Sequence, residues 1–262
     1  MTLRGSSPGA QGRDRHLLAT PRRGARGVAP ATAVRDGALA TAVSVVLCTG
    51  LVALGGMAAT AHLAVLAGVG LVGAAAVAVG SRRDRWSGPA DRVTLGRTVL
   101  AGGCATVVVL ALLGDLPPRS WWLLALAAPA ALLDAVDGAV ARRTGTANPA
   151  GARLDMEVDA ALLLVLSVAL APVVGWWVLG VGLMRYAFVA AGRLRPRLRQ
   201  PLPYSLFRRA VAAAQAAVLV TALVPVVPVP LATAACAAAL VLLAVSFGRD
   251  VVALERRGPA GG

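Results

Sequence analysis

Long apolar runs separated by short polar breaks set the rhythm of this chain. The runs cover 37–57, 61–80, 98–114, 121–141, 154–171, 176–191, 210–226 and 231–248. An apolar stretch of about 20 residues spans the roughly 30 Å hydrocarbon layer as a helix. The pattern therefore predicts an all-α polytopic integral membrane protein of about eight transmembrane helices. The breaks carry the expected punctuation. Gly88 and Pro89 interrupt 81–97; Asp115, Pro117, Pro118 and Arg119 form a turn; Pro172 and Gly175 end the fifth run; PVVPVP precedes the last. Trp121, Trp122 and Trp176 sit at run edges, where interfacial aromatics concentrate. The first 35 residues are rich in Arg, Gly, Pro and Ser without apolar periodicity, which predicts a disordered basic tail. That tail is too long and too charged for a secretory leader.

Composition agrees. Of 262 residues, 58% are hydrophobic and only 4% aromatic, so the apolar content is mostly Ala, Val and Leu. The net charge is +14, and every basic residue is arginine. In a membrane protein such an excess marks cytoplasmic loops rather than nucleic-acid binding. With eight spans, the tail, the 81–97 linker, the 143–153 loop, the 192–209 loop and the 249–257 segment all fall on one side. The opposite turns carry only Asp115 and Arg119. The positive-inside rule thus places both termini in the cytoplasm, at the plasma membrane. Cys48, Cys104 and Cys236 are isolated within apolar runs and read as small buried hydrophobes. Neither His16 nor His62 has ligand-like neighbours.

The chemistry concentrates in Asp134–Asp159, DAVDGAVARRTGTANPAGARLDMEVD, which holds five of the 12 acidic residues. Ionisable side chains in a membrane segment are costly and need compensation. Asp134 and Asp137 are spaced i, i+3 on one helix; Asp155 and Asp159 are spaced i, i+4 on the next. A short connection makes those helices antiparallel neighbours, so the pairs are expected to face each other. Four carboxylates form an oxygen-only site suited to Mg²⁺, Mn²⁺ or Ca²⁺ rather than zinc. Two cations roughly 3.5–4 Å apart is the arrangement for phosphoryl displacement. Gly138 allows close approach of a ligand, Ala141 keeps the surface shallow, and Arg142 offers a fork for phosphate.

These residues carry a resemblance. D-x2-D-G-x2-A-R-x8-G-x3-D-x3-D is the signature of the CDP-alcohol phosphatidyltransferases (class I), met at Asp134, Asp137, Gly138, Ala141, Arg142, Gly151, Asp155 and Asp159. VTLGR, with Thr94 and Arg97, resembles the polar lead-in to the family's first core helix. The resemblance implies a six-helix catalytic core over 98–250, preceded by two additional helices within 36–80 and the 81–97 interfacial linker, and followed by a tail over 251–262. It implies transfer of a phosphatidyl group from a CDP-linked lipid, usually CDP-diacylglycerol, to an alcohol with release of CMP. It makes Asp134, Asp137, Asp155 and Asp159 ligands of two Mg²⁺ or Mn²⁺ ions. Asp159 is also the catalytic base, and Gly138, Ala141, Arg142 and Gly151 contact the CDP-lipid. A homodimer is a further implication.

The acceptor is less defined. Met156 and Glu157 follow Asp155, Ala160 follows Asp159, and Ala150 precedes Gly151, which matches neither the glycerophosphate-using nor the serine-using pattern. Asn148 stands where some members have a hydroxyl residue. Glu157 points away from the Asp155/Asp159 face, as an interfacial residue or a partner for an arginine. Arg185, alone among the charges of its span, with Arg193 and Arg195 nearby, is the candidate contact for an acceptor phosphate such as that of a phosphorylated polyol. Two other classes are weighed against the enzyme. A divalent-cation transporter lacks an acidic path through the remaining spans and leaves Gly138, Ala141 and Arg142 without a role. A non-catalytic scaffold fits poorly with four retained aspartates.

Overall fold

The computed structural model describes residues 32–54, 61–81, 89–144, 149–195, 200 and 205–256, with backbone alone at 89–90, 135–144, 149–150 and 256. Most of the expected basic tail, 1–31, lies outside the described residues, as does 82–88 of the linker. The described residues form eight α-helices and no strand. They are α1 (Thr32–Leu54), α2 (Ala61–Gly80), α3 (Pro89–Leu112), α4 (Trp121–Thr144), α5 (Pro149–Val174), α6 (Leu179–Leu194), α7 (Leu206–Leu223) and α8 (Val229–Arg256). Seven spans are long and apolar enough to cross a membrane, that of α6 counted from Trp176; α4 contributes the shorter stretch Trp121–Asp134 and continues to Thr144. At 1.5 Å per residue the 24 residues of α4 extend about 36 Å. Leu39, Val46, Leu66, Val77, Leu132, Leu231 and Val241 point outward and exposed, as lipid-facing side chains do. The chain is an all-α, multi-pass membrane protein.

α3 is the most buried of the spans and organises the rest. It packs on α1, α2, α4 and α5. α5 in turn meets α6 and α7, and α7 pairs with α8. The main core joins α3 through α8 around Leu123, Leu166, Leu170, Leu219 and Cys236, all fully buried. A second core joins Ala33 and Ala40 of α1, Val72, Ala75 and Val79 of α2, Leu95 and Val99 of α3, and Leu154 and Val158 of α5. The N-terminal hairpin is therefore built into the bundle beside α5.

The α2–α3 crossing depends on small residues. A β-carbon on Gly68 would lie 2.3 Å from Thr106 Oγ1 and 2.5 Å from the Gly102 carbonyl oxygen. One on Gly102 would lie 2.7 Å from the Gly68 carbonyl oxygen. Backbones approach this closely in membranes when side chains are removed from the contact, because van der Waals packing, not water exclusion, drives the association. Thr106 uses the proximity: its hydroxyl donates to Ala64 O at 3.0 Å and lies 3.2 Å from Gly102 O.

At two helix boundaries the departure from the apolar pattern has a plain physical cause. α3 begins at Pro89, well before the apolar start at 98, with proline in the first helical position, where its missing N–H costs nothing. The polar lead-in stays helical because Asp91, Thr94, Arg97 and Thr98 are buried against other helices. α5 runs through Pro172 to Val174; the break falls at Gly175, whose φ of 112° favours glycine. Its N–H closes on Ala171 O at 3.0 Å, and Trp176–Val178 then form one 3-10 turn leading into α6.

The up-down order brings the described inter-helix ion pairs to one end of the bundle. Arg92 Nε donates to Asp36 Oδ2 at 2.8 Å, Arg208 pairs with Asp250 at 3.3 Å, and Arg195 with Glu255 at 3.3 Å. At the opposite end Arg119 reaches across to the α7–α8 turn, donating to the carbonyls of Val224 and, at 2.6 Å, Val227.

Candidate active site

The site lies at the ion-pair end, where the start of α3, the last turns of α4 and the first turns of α5 meet. Asp134 comes from α4; Asp155 and Asp159 come from one face of α5, a turn apart. One carboxylate oxygen from each lies within 4.8 Å of the other two. The expectation that α4 and α5 pack directly on each other needs adjusting. Among the described residues their mutual contact is slight, while α3 packs extensively on both. The carboxylates converge around a side chain of α3.

That side chain is Arg97. It is fully buried, although it carries a charge inside a membrane-spanning helix. Its Nη1 donates to Asp134 Oδ1 and forms an ion pair with Asp159 Oδ1 at 2.8 Å. Its Nη2 donates to Asp155 Oδ1 and lies 3.4 Å from the Asp155 backbone oxygen. A guanidinium presents its donors in a planar fork, which lets one side chain engage three carboxylates where an ammonium, as a point charge, does so poorly. Burial of such a charge is tolerable only because it is paired.

The described cluster sets three carboxylates around one guanidinium. The carboxylates also remain 42%, 32% and 37% exposed at Asp134, Asp155 and Asp159, whereas Arg97 is at 0%. Arg97 thus lies beneath the cluster, and the acidic groups keep an open side. An oxygen-only donor set of three acidic side chains with an accessible face fits a hard divalent cation.

The other expected residues are distributed as follows. Asp137, Gly138, Ala141 and Arg142 lie on α4, on the C-terminal side of Asp134, and their side chains are outside the described set. Gly151 is half-buried in the first turn of α5. Glu157 lies off the aspartate face and accepts from Arg185 Nη2. Arg185 Nη1 also sits 3.9 Å from Met156 Sδ. Arg195 is held by Glu255, and Arg193 is exposed at the end of α6. None of these three arginines has a described contact with Asp134, Asp155 or Asp159.

Reading the sequence for metal ligands overlooks Arg97 as a member of the site. The signal was present: Asp91, Thr94 and Arg97 recur every three residues, with Thr98 one turn after Thr94, so the polar lead-in has one polar face rather than a solvated surface. Thr98 Oγ1 closes on Thr94 O at 2.7 Å, so it satisfies itself within the helix and leaves the face to Arg97.

Comparison with known proteins follows this geometry. The family model for CDP-alcohol phosphatidyltransferases matches residues 90–247, well over half of the 262-residue chain and inclusive of Arg97 and all four aspartates. No curated protein matches the chain, and no solved structure does. With three motif carboxylates gathered at one bundle end and that match extending from the start of α3 nearly to the end of α8, the chain belongs to the CDP-alcohol phosphatidyltransferase family, membrane enzymes that make phospholipids by transferring a substituted phosphate group from a CDP-alcohol.

Proposed function

We propose that the protein transfers a phosphatidyl group from CDP-diacylglycerol to an alcohol, releasing CMP, at the cytoplasmic face of the plasma membrane. The observation that carries this reading is the convergence of Asp134, Asp155 and Asp159, one oxygen of each within 4.8 Å of the others, with an accessible side. Asp134, Asp137, Asp155 and Asp159 are the ligands we assign to two Mg²⁺ or Mn²⁺ ions. Bound there, the ions supply positive charge to the donor's pyrophosphate.

The chain's own residues do the rest. Gly138, Ala141 and Gly151 leave the groove shallow enough for the cytidine nucleotide, and Arg142 presents its fork to a phosphate. Apolar walls hold the acyl chains in the lipid layer, so the reacting phosphorus arrives at a fixed depth and orientation. Asp159 accepts the proton of the acceptor hydroxyl. The hydroxyl oxygen forms a bond to the lipid-bearing phosphorus while the bond from that phosphorus to the bridging oxygen breaks. CMP leaves with the electron pair, and the proton rests on the Asp159 carboxylate until water removes it.

The acceptor class we infer is a phosphorylated polyol, with Arg185, Arg193 and Arg195 as the cations for its phosphate. Arg185 supports this best: it reaches from α6 to Glu157 of α5, which lies two residues from both Asp155 and Asp159 in sequence. We assign the catalytic unit to 98–250 with the α3 lead-in, and a homodimer is compatible with it. The test is mass spectrometry of lipid products formed by purified protein from CDP-diacylglycerol and a panel of glycerol 3-phosphate, inositol 1-phosphate, inositol, serine and phosphatidylglycerol. A new phospholipid with one phosphorylated acceptor is expected; product with serine or free inositol alone would refute the acceptor assignment.

A further inference from the structure

We propose that Arg97 is an internal counter-cation that competes with divalent metal for the carboxylates of the site, and so sets metal affinity. This rests on the metal-binding reading above. The reasoning starts from charge. Arg97 is fully buried, donates to Asp134 and Asp155 and forms an ion pair with Asp159, the three carboxylates that meet in one place. Acidic side chains this close repel one another wherever they are ionised, and the guanidinium offsets that repulsion at a membrane-embedded helix junction.

The geometry shows how it achieves this. α4 and α5 have little mutual contact among the described residues, and Arg97 on α3 engages carboxylates from both. The arginine also lies on the closed side, with the open side left to an incoming ion. The same carboxylates that receive Arg97 donors are the ones an ion must take. Each bond to Arg97 withdraws electron density that the ion would otherwise use, and the guanidinium repels the ion through a short distance of low dielectric. Arg97 therefore preorganises the cluster and weakens its hold on metal at once. The consequence for an enzyme that must release a charged nucleotide is a site that exchanges its ions instead of trapping them. Arg97 is in this account a positioning residue: it acts through the aspartates.

A purely structural role for Arg97 predicts that its loss weakens metal binding or leaves it alone. The counter-cation role predicts the opposite sign. The experiment titrates Mn²⁺ into purified full-length protein in detergent, following free Mn²⁺ by electron paramagnetic resonance, with Tm measured in parallel in EDTA. In Arg97→Gln the half-saturating Mn²⁺ concentration is expected to fall by about tenfold or more. Its Tm in EDTA falls below wild type, and saturating Mn²⁺ raises Tm by more than it does in wild type. Arg97→Lys keeps the charge without the fork, and its midpoint falls between the two. It decides the matter if the glutamine variant does not fold. An Arg97→Gln or Arg97→Lys midpoint equal to or above wild type overturns the proposal while leaving the metal site intact. Wild-type protein that binds no Mn²⁺ overturns the metal reading itself, and the proposal with it.

Discussion

The crossing of α2 and α3 at Gly68 and Gly102 permits a prediction worked from distances. Gly68→Ala places a β-carbon 2.5 Å from the Gly102 carbonyl oxygen and 2.3 Å from Thr106 Oγ1. Thr106 has little freedom to turn away, because its hydroxyl already bonds Ala64 O at 3.0 Å. The carbonyl belongs to the backbone of α3 and has none. Restoring ordinary contact, from 2.5 Å to about 3.4 Å, requires the two helices to part by about 0.9 Å. Overpacking of this kind costs about 1–3 kcal/mol. Gly70, two residues on, is exposed and has nothing within 4 Å of its β-carbon position. Gly70→Ala gains helix propensity, up to about 1 kcal/mol. The pair therefore differs in sign for the same chemical change on the same helix. With a Tm shift of roughly 2–4 °C per kcal/mol for a chain of this size, thermal unfolding in detergent resolves the two. Gly68→Ala is expected to lower Tm and Gly70→Ala to hold or raise it. Equal Tm values for both variants would refute the claim that α1–α2 is packed into the catalytic bundle through this contact.

Three further outcomes follow from other parts of the bundle. Chelation of divalent ions with EDTA is expected to stop CMP release, and Mg²⁺ or Mn²⁺ to restore it; undiminished release in EDTA would remove the metals from the account. Arg119→Ala breaks the bonds to Val224 O and Val227 O that tie the α3–α4 loop to the α7–α8 turn, so stability falls by about 1.5–3 kcal/mol. Mn²⁺ binding stays unchanged in that variant, and a loss of Mn²⁺ affinity would show that the two bundle ends are coupled. Arg185→Gln is expected to raise KM for a phosphorylated acceptor about tenfold, with KM for the CDP-lipid unchanged. An unaltered acceptor KM would leave Arg185 as the partner of Glu157 alone.

The sequence made the membrane fold legible because lipid imposes one rule throughout: apolar runs must be helical and long. Seven of the eight expected runs correspond to helices long and apolar enough to cross, and the eighth to the apolar start of α4. Boundaries were harder to read where polar residues stay inside the bundle. Hydropathy marks 89–97 as a linker, yet Asp91, Thr94 and Arg97 are buried in the bundle, and Arg97 finds its partners on α4 and α5, which a linear pattern does not contain. The same limit applies at Pro172. A proline usually ends a helix in a sequence reading, but here Gly175 does, because its backbone can take the positive φ that turns the chain.

The site was partly legible for a related reason. The i, i+3 and i, i+4 spacings place Asp155 and Asp159 on one face and Asp134 at a helix end without further information. What they do not show is that α3, thirty-seven residues upstream of Asp134 at Arg97, supplies the cation at the centre of the cluster. Long-range charge pairing inside a bundle depends on which helices are neighbours, and the expected α4–α5 contact gives way to an α3-centred one. Glu157 illustrates the converse: the helical period sends it off the aspartate face, and it is there that Arg185 meets it.

The most direct test of the central claim is metal-dependent CMP release from CDP-diacylglycerol by the purified full-length protein, compared between wild type and Asp159→Asn. Asparagine keeps the shape of the side chain and removes the proton-accepting carboxylate. Loss of a general base lowers turnover by about 10²–10⁴-fold. The account predicts CMP release by wild type with Mg²⁺ or Mn²⁺ and a suitable alcohol, and a fall of at least about 100-fold in Asp159→Asn while Mn²⁺ still binds. Full turnover in Asp159→Asn would contradict the assignment of the base, and the convergence of the three carboxylates would then need another purpose.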